Sequence, residues 1–342
     1  MKRIIAMLLC TLLLAGCAAS AERYTASFLD VFDTASQLVI YSDDPAEANR
    51  IAQLVYDELV YYHRLFDQYN AASGVNGVYE LNHHASERPI QVDAPLFQLL
   101  SLGKSMYYKT GGKVNIAMGS VLGLWHEARE YGVSNPSAAY LPDMAALTEA
   151  AQHTDPQSIV LDAEKQTVFF TDPLLKLDLG AVAKGYAVEK VADLLEEQGI
   201  SGVLLSIGGN VRSVGNRPDG TAFPVGVQNP DLTAAKQHIA VLGLDNASLV
   251  TSGSYQRYYT VDGKQYHHII DPDTLMPAEH VWAVSVVTED SGLADALSTA
   301  LFNMPVEEGK KLLESYPGTE AMWVLHDGTL VYSNSFEALL MN

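Results

Sequence analysis

The amino-acid sequence predicts an α+β protein, a mixed sheet with packed helices in two intimate subdomains. Three observations predict it. Strand-like and helix-like segments are interspersed with no clean βαβ rhythm, which argues against a doubly wound parallel sheet. Helical apolar periods alternate with short runs rich in β-branched and aromatic residues, bounded by Gly, Pro and Asp. The length beyond residue 17 suits one large domain or two closely packed halves, and an apolar content of 48% can fill their cores.

The N-terminus comes first. Lys2 and Arg3 precede an apolar run over residues 4–14, followed by Leu14-Ala15-Gly16-Cys17. The run is shorter than the roughly 20 residues that cross a bilayer. It predicts a signal peptide over residues 1–16, and the small residues before Cys17 match the bacterial lipobox. Cys17 is therefore expected to carry lipid, residues 17–26 to form a lipidated tether, and residues 27–342 to form the folded domain. Location follows: anchored by lipid on the outer face of a bacterial cell membrane. Cys10 leaves with the signal, so no disulfide can form within the mature chain.

Residues 28–41 alternate around Leu38 and Ile40 and predict a strand. Residues 45–66 carry Ile51, Leu54, Val55, Leu59, Tyr62 and Leu65 at helical spacing. Asn and Gly make 69–84 a loop. Residues 95–110 predict a helix closed by Gly111-Gly112, and 115–125 a Gly- and Met-bearing helix. Residues 135–155 are looser. Strands at 158–161 and 167–170 flank an acidic turn and predict a hairpin. A helix over 181–198 places Ala187, Val188, Val191, Leu194 and Leu195 on one face, and a buried strand over 202–207 ends in Gly208-Gly209-Asn210. More strands reach about 285, and a helix spans 292–303.

Charge excludes some partners. The net charge is −20, and loss of Lys2 and Arg3 takes it to −22. Such a chain is a poor partner for nucleic acid or an anionic surface. Any polyanionic ligand needs local neutralisation by a metal, a lysine or backbone N–H groups.

Four constellations carry chemistry. Asp178-Leu-Gly180-Ala181-Val-Ala-Lys184-Gly185 enters a helix, where unpaired N–H groups and the helix dipole suit a phosphate. The spacing is not that of a phosphate-binding GxxxxGK[ST] loop, and a charged, solvated helix start remains open. Gly208-Gly209-Asn210 suits either a plain turn or a ligand pressed on backbone. In Tyr266-His267-His268-Ile269-Ile270-Asp271-Pro272, adjacent histidines on a strand face opposite ways, so one metal is not shared between them; the turn beyond would fix a ring near a site. On the last helix Asp295 and Thr299 share a face. Their all-oxygen chemistry suits Mg²⁺ better than zinc, against a solvated Asp295 with Thr299 bonded back to its own helix. Leu297 and Leu301 are expected in the core.

Taken in order with Thr251-Ser-Gly-Ser-Tyr255, these motifs resemble the ApbE family, the FAD:protein FMN transferases, over nearly the whole mature chain. The resemblance implies an α+β fold with FAD bound between two subdomains. It implies Mg²⁺-dependent transfer of FMN from FAD to a Thr or Ser hydroxyl of an acceptor protein, with release of AMP. Asp295, Thr299 and the Ala181 carbonyl would hold Mg²⁺, and Asp178, Lys184 and the backbone at Ile269 would contact FAD. The family's Met-Gly-Thr becomes Phe32-Asp33-Thr34, so Phe32 takes the Met contact, and an aromatic contact maps to Tyr69. Its Asp-Ile-Thr-Val-Gly-Pro becomes Asn115-Ile-Ala117-Met118-Gly119-Ser120, which maps cofactor contacts to Ala117, Met118 and Gly119. Leu275 stands where a Gly is usual. His268, as a group titrating near neutral pH, is the candidate base for the acceptor hydroxyl. The competing expectations are a flavin-binding lipoprotein without catalysis, and an FAD pyrophosphatase with water as acceptor.

Overall fold

A computed structural model describes residues 21–341. The expected signal peptide and Cys17 lie outside the described residues. The scaffold is an eight-stranded sheet. Its strands are β1 (Glu22–Phe28), β2 (Ser36–Ser42), β3 (Val203–Ile207), β4 (Asn210–Val214), β5 (Ser248–Gly253), β6 (Ala283–Thr288), β7 (Glu320–Val324) and β8 (Leu330–Tyr332). They lie side by side in chain order. The sheet expected to be mixed is antiparallel at every pairing. A parallel contact occurs only as an isolated bridge, Met118 to Lys176, among the described residues. Hairpins and long excursions, rather than right-handed crossovers, connect neighbours.

The helices are α1 (Pro45–Phe66), α2 (Val78–His84), α3 (Ala94–Lys109), α4 (Gly119–Ser134), α5 (Met144–Ala150), α6 (Ala183–Glu197), α7 (Ser291–Phe302) and α8 (Val306–Leu313). Helix α1 starts as its sequence dictates: Asp44 accepts the Ala46 amide at 2.8 Å, and Pro45 occupies the first turn. Its predicted stripe packs on the sheet, with Ile51, Val55, Leu59, Tyr62 and Leu65 buried. Helices α6 and α7 lie on the same face. Successive strand residues point to opposite faces, so Val286 and Trp323 join the core under these helices, while Val287 and Met322 join a second core on the other face. A ribbon of Phe223–Gln228 and His238–Leu244 covers that second face. Coverage on both sides explains why β6 is buried at every residue.

A smaller core lies apart. Met118, Val121, Trp125 and Ala128 of the α4 region pack on Tyr259 of a hairpin formed by Tyr258–Val261 and Lys264–His267, and on Ile270 just beyond it. The functional cavity lies between this core and the main one.

Several expectations need correction. The strand expected over 28–41 is the end of β1, a turn, and β2. Phe32 and Asp33 take left-handed φ of 54° and 49° in that turn, which non-Gly side chains do not advertise. Strand β1 begins at Glu22, inside the segment expected to be tether. The loop expected over 69–84 contains α2. Its polar Asn82 is buried and clamps the neighbouring chain, donating to the Leu177 carbonyl at 3.0 Å and accepting its amide at 2.7 Å. The helix expected at 115–125 starts four residues later, because Asn115 Oδ1 takes the Ala117 amide in a turn. It then runs on to Ser134. The looser stretch after it holds α5, capped by Asp143. Leu275 adopts φ 59°, the conformation for which a Gly is the natural occupant.

Candidate functional site

The two cores enclose a cavity of about 750 Å³. One wall is built by the segment entering α6. Asn82 holds Leu177, and Asp178 N–H bonds the Ile116 carbonyl at 2.9 Å, so the chain is anchored just before the turn. The Asp178 carboxylate accepts the Gly180 amide at 2.8 Å and the Gln68 side-chain amide at 2.9 Å. It shapes the turn and ties it to the loop after α1. Lys184, in the first turn of α6, lines the cavity half-buried, with no carboxylate at ion-pair distance among the described residues.

Helix α7 faces this entrance. Asp295 is buried, and its Oδ2 accepts the Gly185 amide at 2.8 Å. Gly185 lies in the first turn of α6, where amides have no acceptor within the helix, and Asp295 supplies one; the Ala181 carbonyl just before the helix takes no backbone hydrogen bond among the described residues. Burial raises the pKa of Asp295, and Lys184, the Gly185 amide and Asn210 oppose the rise. Thr299 lines the cavity and does not bond back to its helix, whereas Ser298 does, at 2.9 Å to the Asp295 carbonyl. Leu297 and Leu301 are buried as expected. One carboxylate, one hydroxyl and one carbonyl without a backbone partner therefore come from residues that line the same cavity. This hard, oxygen-only and sparse set fits Mg²⁺, which keeps waters and takes phosphate oxygens. Among the described residues no cluster of three or more His, Cys, Asp or Glu side chains offers an alternative metal site.

The adjacent histidines both border the cavity, but His267 has both ring nitrogens engaged, Nε2 by the Ala278 carbonyl and Nδ1 by the Ile269 amide, so no metal is shared between them. His268 lines the cavity, and its Nδ1 lies 3.2 Å from the Arg257 carbonyl. A carbonyl only accepts, so the proton is on Nδ1 and Nε2 is bare. The expectation that His268 titrates near neutrality needs correction for the protein groups alone. Desolvation by the walls, with Arg257, His267, Lys184 and Arg129 nearby, pushes its pKa down to about 3. The ring is exposed by surface area yet desolvated, because the space it faces is walled by protein.

Phe32 lines the cavity edge-on to His63, with its amide held by His63 Nδ1 at 3.2 Å. Tyr69, 50% exposed, stacks on His126 with ring centroids 4.5 Å apart. Met118 reaches the cavity. Ala117 and Gly119 do not. Ala117 is buried in the main core, and a Cβ on Gly119 would lie 2.6 Å from the Lys176 carbonyl oxygen. That glycine permits close chain packing rather than ligand contact. Ile269 lines the cavity with its backbone already engaged: its amide bonds His267 Nδ1 at 3.2 Å and its carbonyl accepts the Ala278 amide at 3.0 Å. Gly208 and Gly209, both with positive φ, make the two-residue turn between β3 and β4. The turn reading therefore holds; Gly208 also lines the cavity, where a Cβ would come 2.6 Å from Thr34 Oγ1.

Sequence reasoning missed Gln68, His126, Arg129 and Arg257. His126 and Arg129 lie on the part of α4 beyond the expected helix end, so no period drew attention to them. Arg257 follows the Thr251–Tyr255 motif by two residues, which is the one signal available for it. Arg129 and Arg257 join Lys184 as cations lining a cavity in a chain of net charge −20, which suits an anionic ligand.

Comparisons with known proteins identify the family and the fold. A family model described as "ApbE family" matches residues 32–323. The chain is 33% identical over 300 residues to a FAD:protein FMN transferase of Klebsiella pneumoniae (strain 342), covering 87% of this chain and 88% of that protein. It is 31% identical over 339 residues to a FAD:protein FMN transferase of Treponema pallidum (strain Nichols), covering 95% and 90%. Among solved structures, the ApbE protein of Thermotoga maritima is similar with a TM-score of 0.81 and 27% identity, over 94% of this chain and 100% of that one. The flavin transferase ApbE from Vibrio cholerae shares the fold at a TM-score of 0.77 and 24% identity, over 94% and 100%.

Proposed function

This chain belongs to the ApbE family, and on that premise we propose that it transfers FMN from FAD to a Thr or Ser hydroxyl of an acceptor protein, releasing AMP. The observation that carries the reading is the convergence of Lys184 from α6, Asp295 and Thr299 from α7, and His268 from the hairpin on one cavity. A passive flavin binder has no use for that set.

The residues divide the work. Phe32, Tyr69 and Met118 supply apolar and aromatic surface for the flat rings, and Lys184 and the α6 entrance supply positive charge for the pyrophosphate. Asp295, Thr299 and the Ala181 carbonyl would hold Mg²⁺, which would supply neutralisation of the pyrophosphate charge. The acceptor oxygen forms a bond to the FMN phosphorus, the bond from that phosphorus to the AMP oxygen breaks, and His268 Nε2 takes the hydroxyl proton. Its low basicity arises partly from surrounding cations. The negative pyrophosphate opposes them and would raise it.

The purified full chain with FAD, Mg²⁺ and candidate acceptors is expected to release AMP and add the mass of FMN to the acceptor. Asp295→Ala is expected to abolish this turnover. AMP without an adduct under every acceptor would make the protein an FAD pyrophosphatase. FAD recovered intact under all metal and acceptor conditions would reject catalysis altogether. The lipid anchor on Cys17 and an extracytoplasmic location complete the proposal, supported by the lipobox. Membrane redox proteins whose acceptor residue faces the same side would then lie within reach.

A further inference from the structure

Helices α6 and α7 are joined by a reciprocal clasp. The Gly185 amide of α6 bonds the Asp295 carboxylate of α7 at 2.8 Å, and the Ser291 amide of α7 bonds the Glu189 carboxylate of α6 at 2.6 Å. Each pair is four residues apart on its own helix, so each helix gives one amide and one carboxylate, a turn apart, on its facing side. Only a glycine admits this approach. A Cβ at Gly185 would lie 2.2 Å from the Ser291 carbonyl oxygen and 2.4 Å from Asp295 Cβ. One carboxylate of the clasp, Asp295, lines the cavity. The other, Glu189, does not. It is instead braced from behind by Arg212, whose side chain is only 5% exposed and whose Nε lies 3.3 Å from Glu189 Oε2. Arg212 also donates to Glu196 at 3.2 Å and Asn246 at 3.2 Å, fixing it between α6 and β4.

We infer that Glu189 is a positioning residue for the cation site: by holding the first amide of α7 it sets the rotation and height of that helix, and so the place of Asp295 and Thr299 against Lys184 and the Ala181 carbonyl. The inference rests on the metal reading of Asp295 and Thr299. A mostly buried ion pair is weak evidence for stability, since an apolar pair of similar size often serves as well. Asp290 caps α7 by accepting the Leu293 amide, but an apolar pair in place of Glu189 and Arg212 would leave the Ser291 amide without its acceptor and α7 without its tie to α6. Partners behind metal ligands typically change affinity about 10–100-fold when removed.

The test measures Mn²⁺ uptake by electron paramagnetic resonance on the full chain with FAD bound, independently of turnover. Glu189→Ala is expected to weaken Mn²⁺ binding about tenfold or more. Glu189→Gln keeps an oxygen for the Ser291 amide and is expected to restore affinity to within about threefold of the parent, on the same scale. A purely structural role would lower the melting temperature and leave Mn²⁺ affinity unchanged. Affinity of the Ala variant within about twofold of the parent, or a Gln variant as weak as the Ala variant, would overturn the inference. Should Glu189→Ala fail to fold, the pair E189M and R212M, which fills the same space without charge, carries the same tenfold expectation and the same overturning result. A parent chain that takes up no Mn²⁺ would instead overturn the metal reading, and this inference with it.

Discussion

His267 and His268 are sequence neighbours with opposite tasks. His267 donates from Nε2 to the Ala278 carbonyl at 2.9 Å, accepts the Ile269 amide at Nδ1, and sets its ring edge on Phe302 of α7. It is structural. His268 keeps Nε2 bare toward the cavity. Replacing His268 with Asn should lower turnover by about 10²–10⁴-fold if it accepts the hydroxyl proton. The same substitution has a stability signature. The folded pKa of about 3 lies below the ordinary value of 6.5, so the unfolded chain binds more protons between those values. His268 therefore costs stability as the pH falls from about 6.5 toward 3 and has no effect above that window. His268→Asn should lose less melting temperature than the parent between pH 7 and pH 4.5. A second residue-scale prediction concerns His126. Arg129 Nη2 donates to His126 Nδ1 at 3.0 Å, which fixes the ring against Tyr69. A stacked aromatic pair contributes about 0.5–1.5 kcal/mol. His126→Ala should therefore raise the KM for FAD about two- to tenfold while leaving kcat nearly unchanged, as steady-state kinetics would show.

At the scale of elements, long periodic segments were legible and short or polar ones were not. Helices α1, α3, α6 and α7 follow from apolar spacing because each lays a continuous stripe on a core. Helix α2 escaped because only Val78 and Leu81 are its apolar anchors, and its third anchor is a buried Asn82 whose partners are backbone atoms far along the chain. Helix α4 was cut short because its buried face, Val121, Trp125, Ala128 and Gly132, includes small residues that resemble a turn in sequence. Gly132 lies where a Cβ would come 2.6 Å from Tyr259, a demand set by the hairpin across from it. The closest helix contact gives the element-scale prediction. Gly185→Ala would drive Cβ into Ser291 and Asp295 and should destabilise the fold by about 1–3 kcal/mol. Denaturant unfolding measures that loss. Turnover should fall further than stability alone explains, because α7 carries Asp295.

At the scale of the molecule, an antiparallel sheet covered on both faces leaves the second small core free to stand opposite it, and the cavity is the gap between the two. No helix among the described residues is long and apolar enough to cross a membrane. Attachment would then depend on Cys17. Cys17→Ser should move the protein from the membrane to the soluble fraction of lysed cells, and labelled fatty acid should be lost with it. Retention of the variant on the membrane would reject the anchor.

By itself the sequence determined the α+β class, the helices that carry the site, and the identity of Asp178, Lys184, His268, Asp295 and Thr299 as residues worth finding together. Those properties are local: period, helix entrance, and the i, i+4 spacing of an acid and a hydroxyl. Only the tertiary structure decided that the sheet is antiparallel throughout, that Ala117 and Gly119 serve packing, and that the Gly185 amide at the start of α6 finds its acceptor in Asp295. It alone brought His126, Arg129 and Arg257 to the cavity and put Glu189 behind it. The reason is physical. Strand direction, close approach of glycines and the acceptor of a helix-start amide depend on what lies across a gap in space, and residues distant in sequence leave no local period to record it.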